Sequence, residues 1–274
     1  MLEVPVDEEL KTRHRSMWAA GNYPVIADTL LASMQPVLAD ACRVGPGMRV
    51  LDVAAGTGNA SLTAAERGAS VVASDLTPEL LAVGCRRAAA RGLELEWREA
   101  DAEQLPFEDE SFDVVMSAVG VMFAPHHHRA ADELVRVCRP GGTIGLASWT
   151  PEGMAGSLFR ATRPYAPPAP PGAQAPPMWG CAEYLRTLFG QRVGFDLLEP
   201  RVVELDMFSR PVEYAEFVKM NFGPLISTYA YARAHGWERE LDETLVAFCE
   251  GWNSGTEIRS RFEQEYLVAV GTRS

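Results

Sequence analysis

Residues 48 to 59, MRVLDVAAGTGN, run from an apolar stretch through an acid into a glycine turn, and an alanine-rich segment follows. Val50, Leu51 and Val53 suit a strand buried on both faces of a parallel sheet. Gly56 and Gly58 allow positive φ or close approach of a ligand to the backbone. The next residues, about Ala60 to Arg67 before Gly68, predict a helix whose free N–H groups aim at the same turn. Strand, glycine loop and helix in that order direct the chain toward a doubly wound α/β sheet and propose a nucleotide-like ligand.

Ala69 to Ser74 reads as a second short strand ending on Asp75, and Pro78 opens an amphipathic helix that reaches Gly92. An acid at that strand end suits ribose hydroxyls. Leu93 to Ala100 alternates apolar and charged residues as a third strand, then stops at Asp101. In a doubly wound sheet the ligand sits outside the carboxyl ends of the strands, where the strand order reverses. Asp52, Asp75 and Asp101 can therefore converge while far apart in sequence.

Four segments in order, VGPGMRVLDVAAGTGN, VVASDLTPELL, DAEQLPFEDESFDVV and ELVRVCRPGG, make residues 44 to 150 resemble the class I S-adenosylmethionine-dependent methyltransferases, particularly the ubiquinone and menaquinone methyltransferase-like subgroup. The resemblance implies a Rossmann-like sheet of seven mostly parallel strands, with an antiparallel last strand and a helical lid insert. It implies S-adenosylmethionine as cofactor and S-adenosylhomocysteine as product. The loop of Ala54, Gly56, Thr57, Gly58 and Asn59, following Asp52, would lie against the methionine and ribose portions. Asp75 would accept from both ribose hydroxyls and Leu76 would cover the adenine. Asp101 would accept from the adenine amino group, the Ala102 backbone would meet a ring nitrogen, and Ser117 would line the pocket. Ala54 stands where the family often has glycine. A nicotinamide or flavin dehydrogenase is the rival for the same fold, but its third fingerprint position falls on Ser61, and it does not require the Asp101 to Phe107 segment. A second functional class is a protein that binds S-adenosylmethionine without transferring methyl, as a sensor or as a catalyst of another reaction.

The chain of 274 residues, 47% apolar, is long enough to bury a sizeable α/β core with an added subdomain. Its net charge of −12 argues against a nucleic-acid partner. Met116 to Gly120 also lacks an Asn-Pro-Pro-Tyr-like segment. Cys42, Cys85, Cys138, Cys181 and Cys249 are scattered without CxxC spacing, which suits free thiols in a reducing compartment. The acidic start and the absence of a long apolar run lead us to expect a soluble cytoplasmic protein with no membrane span. Oligomeric state is not legible.

Residues 1 to 43 read as an N-terminal helical cover, broken around Trp18, Tyr23 and Pro24 before a helix from about Val25 to Cys42. In the resembling subgroup this region closes over the cofactor, with Tyr23 among its contacts. Residues 44 to 150 form the cofactor-binding core, with a fourth strand at Phe112 to Ser117, a helix at Ala130 to Cys138 stopped by Pro140 to Gly142, and a fifth strand at Thr143 to Trp149. Residues 151 to 274 hold the remaining strands, with a proline-rich loop and a helical substrate lid. Ala161 to Gly180 carries seven prolines, too many for a helix or a central strand, and predicts a loop over the site. A helix at Cys181 to Phe189, a strand at Val202 to Phe208, helices from Pro211 to Trp252 and a final antiparallel strand at Tyr266 to Thr272 complete the reading.

Methyl transfer from a sulfonium needs near-attack geometry and, for some acceptors, a base. His126, His127 and His128 are the conspicuous base candidates, with Tyr23 a further one. Adjacent histidines point in different directions, so no metal site is expected. Many relatives carry a histidine where Phe123 stands. Trp18, Phe123, Trp179 and Phe222 are expected to form an aromatic cover over a small natural-product or quinone-like acceptor, methylated on oxygen, nitrogen or carbon.

Overall fold

A computed structural model describes residues 8–256 and 258–274. Its sheet comprises β1 (Arg49–Val53), β2 (Ser70–Asp75), β3 (Glu96–Glu99), β4 (Phe112–Ala118), β5 (Cys138–Trp149), β6 (Val193–Leu205) and β7 (Phe262–Arg273), in the spatial order β3-β2-β1-β4-β5-β7-β6. β1 to β5 are parallel, while β7 runs antiparallel to both β5 and β6. The helices α1 (Glu8–Ala19), α2 (Tyr23–Leu30) and α3 (Met34–Ala41) precede the sheet. α4 (Asn59–Glu66) and α5 (Pro78–Ala90) join β1 to β2 and β2 to β3, and α6 (His127–Val137) joins β4 to β5. α7 (Met154–Thr162) and α8 (Ala182–Phe189) lie between β5 and β6. α9 (Pro211–Asn221), α10 (Gly223–His235) and α11 (Glu238–Trp252) lie between β6 and β7.

The chain moves outward from β1 to β3, then returns past β1 to lay down β4 and β5. Right-handed crossovers consequently place α4 and α5 on one face and α6 on the other, and open a crevice at the carboxyl ends of β1 and β4. Val50, Leu51, Val53, Val114, Val115 and Ile144 are buried at 3% exposure or less, as strands covered on both faces require. Because β7 is reversed, its first residues lie at this same end: Trp149, the last residue of β5, pairs with Tyr266.

Trp97 of β3 determines how α4 and α5 meet. A Cβ at Gly58 would lie 2.4 Å from its indole, and one at Gly84 of α5 would also lie 2.4 Å away. Gly58 further takes φ +78, so both its shape and its conformation exclude a side chain.

Several boundaries differ from the sequence reading. Trp18 lies inside α1 rather than in a break. The helix expected over 25–42 is two helices, because a continuous helix would drive the Pro36 ring into the carbonyl of Ala32. α6 starts at His127, before the expected Ala130. β5 begins at Cys138, and Pro140 to Gly142 belong to it where its register with β4 shifts between Phe112 and Val114. β6 starts at Val193 and ends before the expected Phe208, with Pro200 tolerated because β6 is an edge strand. The final strand starts at Phe262, ahead of Tyr266. Of the expected N-terminal cover, residues 1–7 lie outside the described residues.

Gly84→Ala should push against Trp97 and destabilise the protein by roughly 1–3 kcal/mol in urea denaturation. Adding Trp97→Phe should recover part of that loss, whereas two additive losses would show that Trp97 does not set this packing.

Candidate functional site

Asp75 stands at the end of β2, and its carboxylate closes the crevice. Its Oδ2 accepts from the Gly56 N–H at 2.8 Å and its Oδ1 from the Thr77 N–H at 2.8 Å. One side chain thus fixes the loops after β1 and β2. Burial pushes its acidity toward a higher pKa, against the opposing pull of these N–H donors. Each oxygen retains a further lone pair, and the residue lines a large cavity at the carboxyl end of the sheet.

Asp52, the last acid of β1 and 1% exposed, lines the same cavity. Its Oδ2 accepts from the Ser61 hydroxyl at 2.5 Å, while Oδ1 is buried without a partner. Burial pushes its carboxyl up to about 7. Ser61, where a dinucleotide fingerprint would place glycine, is occupied in holding this acid.

Ala54 adopts φ +55, the left-handed region that L side chains rarely enter, which explains the family's preference for glycine there. Room for its methyl comes from the loop after β4: a Cβ on Gly120 would stand 2.7 Å from that of Ala54 and 2.2 Å from its carbonyl oxygen. Gly56 (φ +56), Thr57 and Asn59 also line the cavity. Arg87 of α5 donates to Thr57 Oγ1 at 3.1 Å and to Asn59 Oδ1, and pairs with Asp28 of α2 at 2.6 Å. Gly58 and Ser117 are not among the lining residues. Gly58 makes space for Trp97, while Ser117 donates to the Val53 carbonyl at 2.6 Å and accepts from the Val121 N–H at 2.9 Å, bracing two loops from behind.

Leu76, Asp101 and Ala102 complete this half of the wall, beneath α1. Lys11 of α1 bridges Asp101 at 2.9 Å and Glu103 at 3.0 Å. One turn later, Arg15 donates to the Leu76 carbonyl at 3.0 Å and pairs with Glu99 at 2.5 Å. His14 also lines the cavity, and burial lowers its pKa, keeping the imidazole neutral. At the opposite end of this cover, Tyr23 Oη accepts from the Gly223 N–H at 3.2 Å and the Asn22 N–H donates to the Asn221 carbonyl at 2.9 Å. The N-terminal helices therefore span the cavity between the loops after β2 and β3 and the junction of α9 and α10.

The other half of the wall is aromatic. Phe123 packs edge-on against Trp18 at 4.7 Å between ring centres, Phe159 at 5.9 Å and Phe222 at 6.4 Å. Tyr23 joins Trp18 at 5.6 Å. Burial raises the Tyr23 phenol far above neutrality, so it holds its proton and is no base at pH 7. Farther along lie Trp149, Met154, Leu158 and Val218, with Tyr214 and Gln264.

Three of the expected positions lie away from this cavity. None of His126, His127 and His128 lines the cavity. His127 is fully buried, its Nδ1 lies 2.9 Å from the Tyr184 hydroxyl, and burial pushes its pKa down to about 4, so it serves packing as a neutral ring. The His126 N–H donates to Glu103 Oε1 at 2.8 Å as α6 begins. Trp179 does not line the cavity either; it is completely buried, 5.5 Å from the His127 ring and 6.0 Å from that of Phe189. The proline-rich loop is tied down outside the cavity, where the Gln174 N–H donates to the Pro125 carbonyl at 3.0 Å and its Oε1 accepts from the His127 N–H at 2.8 Å. Prolines and a large indole in one segment mark a stiff plug as readily as a lid.

Sequence reasoning missed Lys11, His14, Tyr214 and Gln264. The Lys11 and Arg15 pair, four residues apart before the acid-tipped strands, was the one available signal. Among the described residues, no group of three His, Cys, Asp or Glu could hold a metal, and no helix is long and apolar enough to cross a membrane.

A family described as a methyltransferase domain matches residues 51–146. An uncharacterized protein from Mycobacterium tuberculosis is 46% identical over 270 residues, covering 97% of this chain and 96% of the relative. A demethylmenaquinone methyltransferase from Thermus thermophilus is 43% identical over 116 residues, covering 41% of this chain and 53% of that protein. A geranyl diphosphate methyltransferase, solved in complex with S-adenosylmethionine, has the same fold at 16% identity, with a TM-score of 0.53 over 89% of this chain and 85% of that one. With its strand order, its acid-tipped β-strands and these relatives, the chain belongs to the class I S-adenosylmethionine-dependent methyltransferases, in the subgroup similar to the quinone methyltransferases.

Proposed function

We propose that this enzyme binds S-adenosylmethionine in the acid-lined half of the cavity and methylates a neutral, planar and largely apolar small molecule in the aromatic half. The observation that carries this reading is the distribution of charge along one continuous wall. Asp52, Asp75 and Asp101 lie on the side of the first three strands, whereas from Phe123 onward the lining residues include no charged side chain. A cofactor with net positive charge suits the first half, and an uncharged acceptor suits the second.

The residues present fit the cofactor. The two oxygens of Asp75 suit a vicinal diol, and the unpartnered Asp52 Oδ1 suits an ammonium group. Leu76 and Ala102 offer an apolar slot for adenine beside Asp101, whose carboxylate Lys11 holds in place. Bound S-adenosylmethionine would supply an electrophilic methyl carbon on a sulfonium. Trp18, Phe123 and Phe222 exclude water from the space beside it and orient a flat acceptor. With the three histidines outside the cavity and Tyr23 holding its proton, none of these four acts as a base; positioning supplies the acceleration, and neutral His14 is, among the described residues, the one imidazole lining the cavity for an acceptor that must lose a proton. The five unpaired cysteines support a cytoplasmic setting, and the net charge of −12 supports a small molecule over nucleic acid as substrate. Methyl-labelled cofactor offered with neutral and charged aromatic acceptors tests the reading: label should pass to neutral ones with release of S-adenosylhomocysteine. Transfer restricted to charged acceptors would refute it.

Asp75→Ala should weaken S-adenosylmethionine binding by roughly 10- to 100-fold in calorimetric titration, because charge-assisted hydrogen bonds to two hydroxyls are lost. Unchanged affinity would remove Asp75 from the site.

Asp52 generates a pH signature. Its folded pKa, near 7, lies above the ordinary 3.8, so the cofactor-free fold binds a proton that the unfolded chain releases. Stability should fall as pH rises from about 4 to about 7 and then level off. Cofactor affinity should run the opposite way, weakening up to about tenfold per pH unit below 7 as the carboxylate is neutralised. Asp52→Asn should flatten both profiles in denaturation and titration experiments. Profiles unchanged by that substitution would place the titrating group elsewhere.

A further inference from the structure

The aromatic half of the cavity contains one buried polar pair that the cofactor reading leaves unused. Tyr214 of α9 is 2% exposed and Gln264 of β7 is 3% exposed, and both line the cavity. Gln264 Nε2 donates to Tyr214 Oη at 2.6 Å. No other partner among the described residues engages the phenol hydrogen or the Gln264 carbonyl oxygen. A buried polar group left partly unpaired is costly, and it invites a ligand of matching polarity. The pair is also rigidly held: the Tyr214 ring packs against Phe262 at 4.7 Å and Phe208 at 5.3 Å between ring centres. A group fixed in this way offers a hydrogen bond without further ordering.

Its place in the sheet gives the pair its meaning. Gln264 lies two residues before Tyr266, which pairs with the last residue of β5, so it stands at the carboxyl-end edge beyond β5. The cofactor acids stand at the ends of β1 and β2 and just beyond β3, across the β4 position. The rings of Trp18, Phe123, Phe159 and Phe222, packed on one another, line the same cavity. A molecule reaching from the methyl donor to this pair would cross an apolar, flat-walled space and end at a neutral donor and acceptor. Burial raises the Tyr214 phenol above its ordinary range, so it remains a neutral donor.

We infer that Tyr214 and Gln264 select the acceptor, docking a neutral carbonyl or hydroxyl oxygen at the end of a planar apolar molecule remote from the methylated atom. The inference rests on the proposed division of the cavity into a cofactor half and an acceptor half. An acceptor ending in a carboxylate or a diphosphate is disfavoured, because no lysine or arginine lines this half. Tyr214 and Gln264 are specificity residues rather than participants in methyl transfer.

Equilibrium dialysis with protein saturated with S-adenosylhomocysteine tests this, using 2-naphthol, naphthalene and 2-naphthoate as probes. The wild-type protein should bind 2-naphthol about tenfold more tightly than naphthalene, and 2-naphthoate most weakly. Tyr214→Phe, which preserves the ring and its packing, and Gln264→Leu should each erase the preference for naphthol. Affinity for naphthalene and S-adenosylhomocysteine should remain as in the wild type, which separates the lost preference from any fall in melting temperature caused by breaking the buried Tyr214–Gln264 bond. A naphthol preference that survives both substitutions, or tightest binding of 2-naphthoate, would overturn the assignment while leaving the cofactor site intact. Failure of S-adenosylhomocysteine itself to bind would instead refute the division of the cavity, and the assignment with it.

Discussion

The site depends on one carboxylate accepting two backbone hydrogen bonds. Asp75 ties Gly56 to Thr77, and so ties the loop after β1 to the loop after β2. Without that link the glycine loop would be an exposed turn free to sample several conformations. With it, the carboxylate, the loop and the start of α4 become one surface. The strained φ of Ala54 is sustained in the same way, by a framework in which Gly120 yields the space. Function here begins with loops held still by a residue that still has lone pairs to offer.

The sequence and the structure agree best where local chemistry is strongest. Val50 to Val53 with the glycines behind them, and the acids at the strand ends, are legible because burial on two faces and tight turns admit few residue types. The order of the strands follows from their crossovers, and Gly223-Pro224 and Gly236 separate the three insert helices expected between Pro211 and Trp252. The histidine run misled because side-chain chemistry says nothing of direction: α6 starts at His127, which turns that ring into the core. Trp179 misled for the reverse reason, since a proline-rich segment with an indole can plug a core as well as cover a cavity. Gln264 could not be found at all from sequence, because its importance arises only when an antiparallel strand delivers it to the end of a parallel sheet.

The N-terminal helices show how charge and apolar packing share the work of enclosing a ligand. Lys11 and Arg15 reach acids and a carbonyl beside Asp101 and Leu76, while Trp18 and Tyr23 pack into the aromatic wall. Half-buried ion pairs of this kind hold geometry more than they add stability, since desolvation offsets much of the attraction. Their usefulness lies in register: α1 and the start of α2 sit where both cations and both rings find partners.

The reversed strand β7 has a consequence for how such an enzyme diversifies. The stretch matching the methyltransferase domain, residues 51–146, ends just before Trp149, where the later part of the aromatic wall begins. The cofactor-facing loops lie within that stretch, whereas Tyr214 and Gln264 at the far end of the acceptor wall lie outside it, and Gln264 reaches the cavity because β7 inserts between β5 and β6. Substitutions in α9 or at the start of β7 can retune the acceptor end without disturbing the carboxylate network around Asp75. Inheritance can keep one part of this protein fixed while the other drifts toward new chemistry.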